Sequence, residues 1–109
     1  MNKFDLKKYQ NEEHYMVCTS EEEAEIFCNF LHKNKCRWCD GMLYTESTDF
    51  EQVSGDIAYY FNIGCRQSVD TISPNSDKFR LNFSDFDWEG YTDKINDITL
   101  SDFEGVINV

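Results

Sequence analysis

Histidine and cysteine spacing gives the first chemical signal in this sequence. His32, Cys36 and Cys39 stand in the order His-x3-Cys-x2-Cys, and a Cys-x2-Cys pair is a common half of a tetrahedral zinc site. No further cysteine, nor His14, lies at a spacing typical of a fourth zinc ligand. These three residues are therefore weak metal candidates, and we expect no bound metal or cofactor.

Redox chemistry is the other use of a Cys-x2-Cys pair. In thioredoxin-like proteins the pair follows a strand and opens a helix, whereas here it follows a predicted helix and leads to Gly41. Trp38, between the two cysteines, is interpreted as a core anchor. The five cysteines are an odd number without a secretory context, which favours free thiols over a disulfide framework.

Alternating carboxylates form the second candidate group. Asp85, Asp87 and Glu89 alternate with Phe86 and Trp88, and paired carboxylates serve general acid–base catalysis or bind hard cations. No histidine or glycine-bearing calcium loop accompanies them, so a solvated acidic edge is the simpler interpretation. The sequence also lacks a Gly-x-Ser-x-Gly elbow, a phosphate loop and a dinucleotide fingerprint. We therefore expect a protein that is not an enzyme.

Net charge limits the class of partner. The chain carries 21 acids against 10 Lys and Arg, a formal net charge of −11. Seven of these acids, against Lys94 alone, lie between residues 85 and 109. Direct nucleic-acid binding is disfavoured because phosphate contacts need clustered Lys and Arg. A basic protein partner is compatible with the charge, and plain solubility is the alternative explanation. The predicted partner-binding residues are Asp85, Asp87, Glu89, Asp93, Asp97, Asp102 and Glu104.

A single helix within residues 19–41 is the element that must position these groups. Ser20 and Glu23 fit a capping box. An apolar stripe follows at i, i+3, i+4 and i+7. His32 falls in the last turn, where a cation suits the exposed carbonyls. The stripe consists of Ala24, Phe27, Cys28 and Leu31.

Strand patterns account for most of the remaining chain. Aromatic and β-branched runs, alternation and turn residues predict strands at residues 14–18, 42–45, 56–63, 65–69 and 78–83. In the last of these, Phe79, Leu81 and Phe83 are expected on one side. The sequence thus predicts an α+β fold, with one main helix packed on a mainly antiparallel sheet of four to six strands.

Length and hydropathy set the domain organisation. The 109 residues suit one domain with one modest core. Residues 1–13 are expected to form a frayed arm or a short helix, and residues 92–109 an acidic C-terminal extension. No apolar run approaches the roughly 20 residues of a membrane span, and the N-terminus lacks the apolar core of a signal peptide. We therefore expect a cytoplasmic protein.

The order of these motifs resembles a group of short proteins encoded by phages and prophages of Firmicutes. The matching features are the run at residues 19–24, Phe27 and Leu31 of the helix, and Trp38 with Gly41 in a Trp-x-x-Gly turn ahead of several strands. Phe-Ser-Asp-Phe at residues 83–86 matches the usual end of their last strand. The similarity covers roughly residues 15–88, and the tail beyond it departs from that group. It implies a small accessory protein acting inside a bacterium and carries over no residue role. It also implies that Cys36 and Cys39 have no metal role.

Taken together, these observations lead to one functional hypothesis and two alternatives. The main hypothesis is a non-catalytic phage inhibitor of a bacterial defence system such as CRISPR. Its acidic surface would mimic nucleic acid and occupy a basic groove of a defence effector. The first alternative is a sponge that sequesters a signalling nucleotide through Arg66, Arg80 and aromatic rings. The second is a small zinc-binding adaptor. The oligomeric state is left open by the sequence.

Overall fold

The computed structural model describes residues 2–10 and 13–91 and contains one α-helix and one sheet. The strands are β1 (Tyr15–Cys18), β2 (Ile57–Tyr60), β3 (Cys65–Ser68) and β4 (Arg80–Asn82), and the helix is α1 (Glu21–Lys33). Short 3₁₀ helices span Leu6–Tyr9, Phe50–Gln52, Val69–Thr71, Pro74–Phe79 and Phe83–Asp85. The predicted α+β fold is confirmed.

The sheet has the order β3-β2-β1-β4. The β1–β2 and β2–β3 pairs are antiparallel, whereas β1 and β4 run parallel. Met16 in β1 lies opposite Tyr59 on one side and Leu81 on the other. Every residue of β1 is buried, so this short strand is the centre of the molecule.

The two faces of the sheet have different covers. Met16, Cys18 and Tyr59 belong to the cluster that includes α1. On the opposite face, Tyr15 and Val17 pack with residues of the two 3₁₀ helices between residues 69 and 79. The Tyr15 hydroxyl donates to the Ser76 carbonyl at 3.3 Å. This second cover was not predicted because its apolar residues are scattered in a loop rather than periodic.

The start of α1 follows its sequence signal with a shift of one residue. The Ser20 hydroxyl accepts from the Glu23 amide at 3.2 Å. The Glu23 carboxylate reaches back to the Thr19 amide, at 2.9 Å, rather than to that of Ser20. Both bonds satisfy amides near the helix start that lack partners within the helix.

The apolar stripe of α1 is buried as predicted. Ala24, Phe27 and Leu31 are each 0 % exposed. The last turn is enclosed more completely than expected, because His32 is also buried. His32 lies in the last turn of α1 as predicted, but its side chain is buried, whereas Lys33 and Lys35 are exposed.

The predicted strand at residues 42–45 is absent. A single bridge pairs Arg37 with Leu43, and the Trp38 amide donates to the Met42 carbonyl at 3.0 Å. Gly41, at φ +93°, makes the chain turn sharply. Tyr44 then packs against Trp38 with ring centroids 4.5 Å apart, so the segment folds onto the core and does not extend along a strand.

The strand predicted at residues 78–83 is shorter than expected. The 3₁₀ helix Pro74–Phe79 continues up to β4, and another begins at Phe83. Consequently, Phe79 packs on the face opposite α1, while Leu81 and Phe83 pack on the helix side. The prediction that all three share one side is wrong at Phe79.

The N-terminal segment, expected to be a frayed arm or a short helix, contains the 3₁₀ helix Leu6–Tyr9 and packs on the core through Phe4. Phe4 is only 6 % exposed and lies edge-to-face against Phe27, Phe30 and Phe61. Its ring centroid is 5.7 Å from that of Trp88. We call these five rings the aromatic cluster. The expected arm was based on the polar residues around Phe4, which gave no local sign of this long-range contact.

Replacing Phe27, at the centre of the aromatic cluster, tests this core. We expect Phe27→Ala to lower the free energy of unfolding by roughly 3–5 kcal/mol, because it removes a fully buried ring and leaves a cavity. Urea denaturation provides the measurement. Glu25→Ala, an exposed change on the same helix, should stay within about 0.5 kcal/mol. A loss below about 1 kcal/mol for Phe27→Ala would show that the helix face is assigned wrongly.

Candidate functional site

The acidic edge, defined as Asp85, Asp87 and Glu89, lies on the surface just after β4. Asp85 and Glu89 are exposed and Asp87 is half-buried, while Phe86 and Trp88 between them pack into the core. The Asp87 carboxylate accepts from the Glu89 amide at 3.0 Å, which fixes the turn. The other predicted partner-binding residues, Asp93, Asp97, Asp102 and Glu104, lie outside the described residues.

The weak metal candidates are not brought together. The Cys36 sulfur lies 3.8 Å from the Asn34 carbonyl, while the Cys39 sulfur meets that of Cys65 at 3.7 Å. His32 is buried at the end of α1. Within residues 2–10 and 13–91, no three His, Cys, Asp or Glu side chains are grouped as metal ligands. The structure therefore gives no geometric support to a zinc site at His32, Cys36 and Cys39.

An acidic cavity of about 440 Å³ lies between the first half of α1 and residues 44–52. Three carboxylates come from the helix and three from the facing segment, and no lysine or arginine lines it. We define the acidic cavity by these six carboxylates and the polar and apolar residues that enclose them. The carboxylates are Glu21, Glu22, Glu25, Glu46, Asp49 and Glu51.

Local hydrogen bonds shape the wall that faces the helix. The Ser47 hydroxyl donates to the Asp49 carboxylate at 2.7 Å and accepts from the Asp49 amide at 3.1 Å. Asp49 itself has φ +57°, a conformation that Asp and Asn tolerate better than most residues. The Phe50 amide then bonds the Thr48 hydroxyl at 3.3 Å, where the 3₁₀ helix begins. Short polar side chains thus fold this segment into a compact turn.

Tyr44 also lines the cavity and is fully buried. Its hydroxyl has no hydrogen-bond partner among the described residues. Burial raises the pKa of the Tyr44 phenol far above its usual value, so the group stays protonated and can donate. By contrast, the neighbouring Tyr59 hydroxyl donates to the Thr48 carbonyl. Tyr44 therefore brings to the lining a buried hydroxyl that is unpaired among the described residues.

The charge of the cavity is poorly compensated by the described residues. Among the described residues the structure shows one ion pair, in which the Arg66 guanidinium lies 3.5 Å from the Asp49 carboxylate. The other five lining carboxylates take no part in it. Like charges held together create a negative potential that favours a cationic group, so the cavity is suited to a Lys or Arg side chain of a partner.

The acidic edge and the acidic cavity are linked through α1. The Asn29 side chain lines the cavity and donates to the Tyr91 carbonyl at 2.9 Å. Tyr91 follows directly on the segment that carries the acidic edge, and its ring packs on Phe30 with centroids 5.1 Å apart. The segment bearing Asp85 to Glu89 therefore leads to the border of the cavity.

Sequence reasoning missed the acidic cavity. Glu21 and Glu22 stand at the start of α1, where the helix dipole favours acidic residues whatever their function, and Glu46 and Glu51 stand in a polar loop without a motif. One signal was available: Glu21 and Glu25 are four residues apart and lie off the apolar stripe, so they share a flank of the helix. Nothing local shows that residues 44–52 cover that flank.

Comparison with protein-family models, with curated proteins and with solved structures finds no match. In the part of the chain that the structure describes, every helix lacks the length and apolarity needed to cross a bilayer.

Tyr44→Phe tests whether the buried hydroxyl is unpaired. We expect this change to leave stability unchanged or to raise it by up to about 1 kcal/mol, because an unpaired buried hydroxyl is costly. Tyr59→Phe is the matched control. It should lower stability by roughly 0.5–1.5 kcal/mol, since it removes the bond to the Thr48 carbonyl. Chemical denaturation measures both; equal losses would contradict the assignment.

Three buried or partly buried thiols predict a loss of stability at alkaline pH. Burial raises the pKa of Cys18 well above its usual value, that of Cys28 to about 12 and that of Cys36 to about 11. In the unfolded chain these thiols ionise from about pH 8.5. The unfolded state then binds fewer protons than the folded state, so stability is complete below that pH and falls as the pH rises.

Between about pH 9 and 10, each thiol should remove roughly 1.4 kcal/mol of unfolding free energy per pH unit. Urea titrations at several pH values measure the slope. Cys36→Ala should make the decline of unfolding free energy with pH shallower by the contribution of one thiol, roughly 1.4 kcal/mol per pH unit. An unfolding free energy that is constant from pH 7 to 10 would contradict the burial of these groups.

Proposed function

We propose that this chain is a non-catalytic binding protein whose acidic surface docks on a basic, nucleic-acid-binding surface of a partner protein. The observation that carries this proposal is the acidic cavity, in which six carboxylates and no lysine or arginine line a concave site. The acidic edge adds three carboxylates on the segment that leads to the cavity border. A partner that binds nucleic acid presents the complementary charge.

The physical mechanism is competition for a basic groove. Carboxylates take the places that phosphates occupy, while the cavity encloses one protruding Lys or Arg side chain of the partner. Electrostatic complementarity raises the association rate and selects partners by charge. The contribution of each exposed pair to affinity is small, so the docking depends on several carboxylates acting together.

The class of partner follows from the similarity to short phage-encoded proteins. A phage accessory protein acts within the bacterial cytoplasm, where nucleic-acid-binding defence effectors are abundant targets. We therefore propose an inhibitor of a bacterial defence system, of the anti-CRISPR type. The charge of the surface and this similarity support the choice of target.

The geometry disfavours the nucleotide-sponge alternative. Arg66 lies on β3 and Arg80 on β4, which are the opposite edges of the four-stranded sheet. Three strand spacings separate them by about 14 Å. Arg66 is paired with Asp49, and the Arg80 side chain donates to Asn82. These two arginines are therefore not placed to hold one small nucleotide together.

The test compares three variants with the same change of charge. In the cavity variant Glu21, Glu25 and Glu46 are replaced by Lys, and in the edge variant Asp85, Asp87 and Glu89 are replaced by Lys. The control variant reverses Glu13, Asp70 and Asp77, which are exposed acids outside both surfaces. Circular dichroism and thermal melting verify that each variant is folded.

The measurement is displacement of labelled nucleic acid from a panel of purified CRISPR effectors, followed by fluorescence anisotropy. We expect the wild type and the control variant to displace the nucleic acid, and the cavity and edge variants to lose at least tenfold in affinity. Displacement should weaken steeply between about 50 and 200 mM salt, as charge-driven binding requires. Equal displacement by all variants, or none by the wild type from any member of the panel, would overturn the proposal.

A further inference from the structure

Two thiols from distant parts of the chain meet beside the acidic cavity. Cys39 is exposed in the loop after α1, and Cys65 is half-buried at the start of β3. The Cys65 thiol donates to the Cys39 sulfur across 3.7 Å. We call Cys39 and Cys65 the thiol pair.

Backbone contact holds the thiol pair in place. The Cys39 amide donates to the Gly64 carbonyl at 3.1 Å. A Cβ atom on Gly64 would lie only 2.6 Å from the Cys39 nitrogen, and Gly64 has φ +71°. Both constraints require glycine at this position. The turn that joins β2 to β3 therefore lies directly against the loop that carries Cys39, and the two sulfurs face each other as a result.

We propose that the thiol pair is a reversible oxidation site, at which a low-molecular-weight disulfide of the glutathione class converts Cys39 and Cys65 into an intramolecular disulfide. A disulfide bond is about 2.05 Å long, so the sulfurs have to approach by less than 2 Å. Rotation of two side chains that are not fully buried provides this movement.

The reaction proceeds in two exchange steps. The Cys39 thiolate attacks one sulfur of the small disulfide, forms a mixed disulfide and expels one thiolate. The Cys65 thiolate then attacks the Cys39 sulfur and expels the second thiolate. The two protons of the protein thiols pass to the two leaving thiolates. The pair is thus oxidised by two electrons, and the small disulfide is reduced to two thiols.

The surroundings of the thiol pair favour Cys39 as the first sulfur to react. A second cavity, of about 240 Å³, is lined by both thiols together with Met42 and Arg66, which gives a small molecule access. The hydrogen bond to Cys39, together with burial, raises the pKa of Cys65 despite the neighbouring Arg66. The Cys65 thiol therefore holds its proton more tightly, and Cys39 is the more exposed of the two sulfurs.

The remaining cysteines are poor competitors. Cys18 and Cys28 are fully buried, and Cys36 is partly buried with a pKa raised to about 11. Buried, protonated thiols react slowly because the thiolate is the nucleophile.

The disulfide would also join segments next to Ser47 and Asp49, which line both cavities. Oxidation therefore stiffens the wall that the two cavities share.

The experiment treats the full chain with oxidised glutathione over a series of redox ratios at pH 8. Non-reducing peptide mapping by mass spectrometry then identifies the linked cysteines. We expect a Cys39–Cys65 peptide, the loss of two free thiols per chain, and reversal by dithiothreitol. The melting temperature should rise by roughly 5 °C or more in the oxidised form, because the bond restricts the unfolded chain.

Single substitutions separate this site from general thiol reactivity. Cys36→Ser should oxidise as the wild type does. Cys65→Ser should stop at glutathione bound to Cys39, and Cys39→Ser should form no intramolecular disulfide. A Cys36–Cys39 link, a dimer joined by a disulfide as the main product, or glutathione retained on Cys39 in the wild type would overturn the proposal.

Discussion

The aromatic cluster is the packing constraint on which the rest of this molecule depends. Its rings come from the N-terminal segment, α1, the turn after β2 and the segment after β4. Phe27 and Trp88 meet edge-to-face with centroids 5.5 Å apart, a geometry that adds to the energy of burial. Because one set of rings fastens four segments, the strands can be short and the connections irregular.

This core leaves one flank of α1 available for charge. The stripe that includes Phe27 faces the sheet, while Glu21 and Glu25 lie on the flank that residues 44–52 cover. Carboxylates near the start of a helix are favoured by its dipole, which partly offsets their mutual repulsion. The acidic cavity is thus compatible with a stable fold, although the fold gains little from it. Because these carboxylates add little to the stability of the fold, their clustering supports the proposed binding role.

The elements that could be predicted are those whose signals are local. Ser20 marks the helix start and Phe27 its buried face, since capping and periodicity depend on neighbours within a turn or two. Phe4, Tyr44 and Phe79 were misplaced because their partners lie far along the chain. An isolated aromatic residue in a polar segment does not indicate which layer it will join.

The candidate sites divide in the same way, into residues with a local sequence signal and residues that are brought together by long-range contacts. The surface position of Asp85 and Glu89 could be predicted from their alternation with buried aromatic residues. The role of the carboxylates in residues 46–51 could not be predicted, because these residues form the acidic cavity only when their loop packs against α1. Cysteine spacing was misleading in the same way. It directed attention to Cys36 and Cys39, whereas the backbone contact at Gly64 brings Cys39 to Cys65.

The central position of β1 also governs the order in which the chain can fold. Both strands that flank β1 come later in the sequence, and its parallel partner β4 is the last strand within residues 13–91. During synthesis, β1 and α1 emerge from the ribosome with their apolar residues uncovered. Pairing with β4 requires closure of a long loop, which slows folding. The apolar residues of β1 and α1 therefore stay uncovered by β4 until residues 80–82 have been made, and the charged side chains of the chain oppose association over that interval.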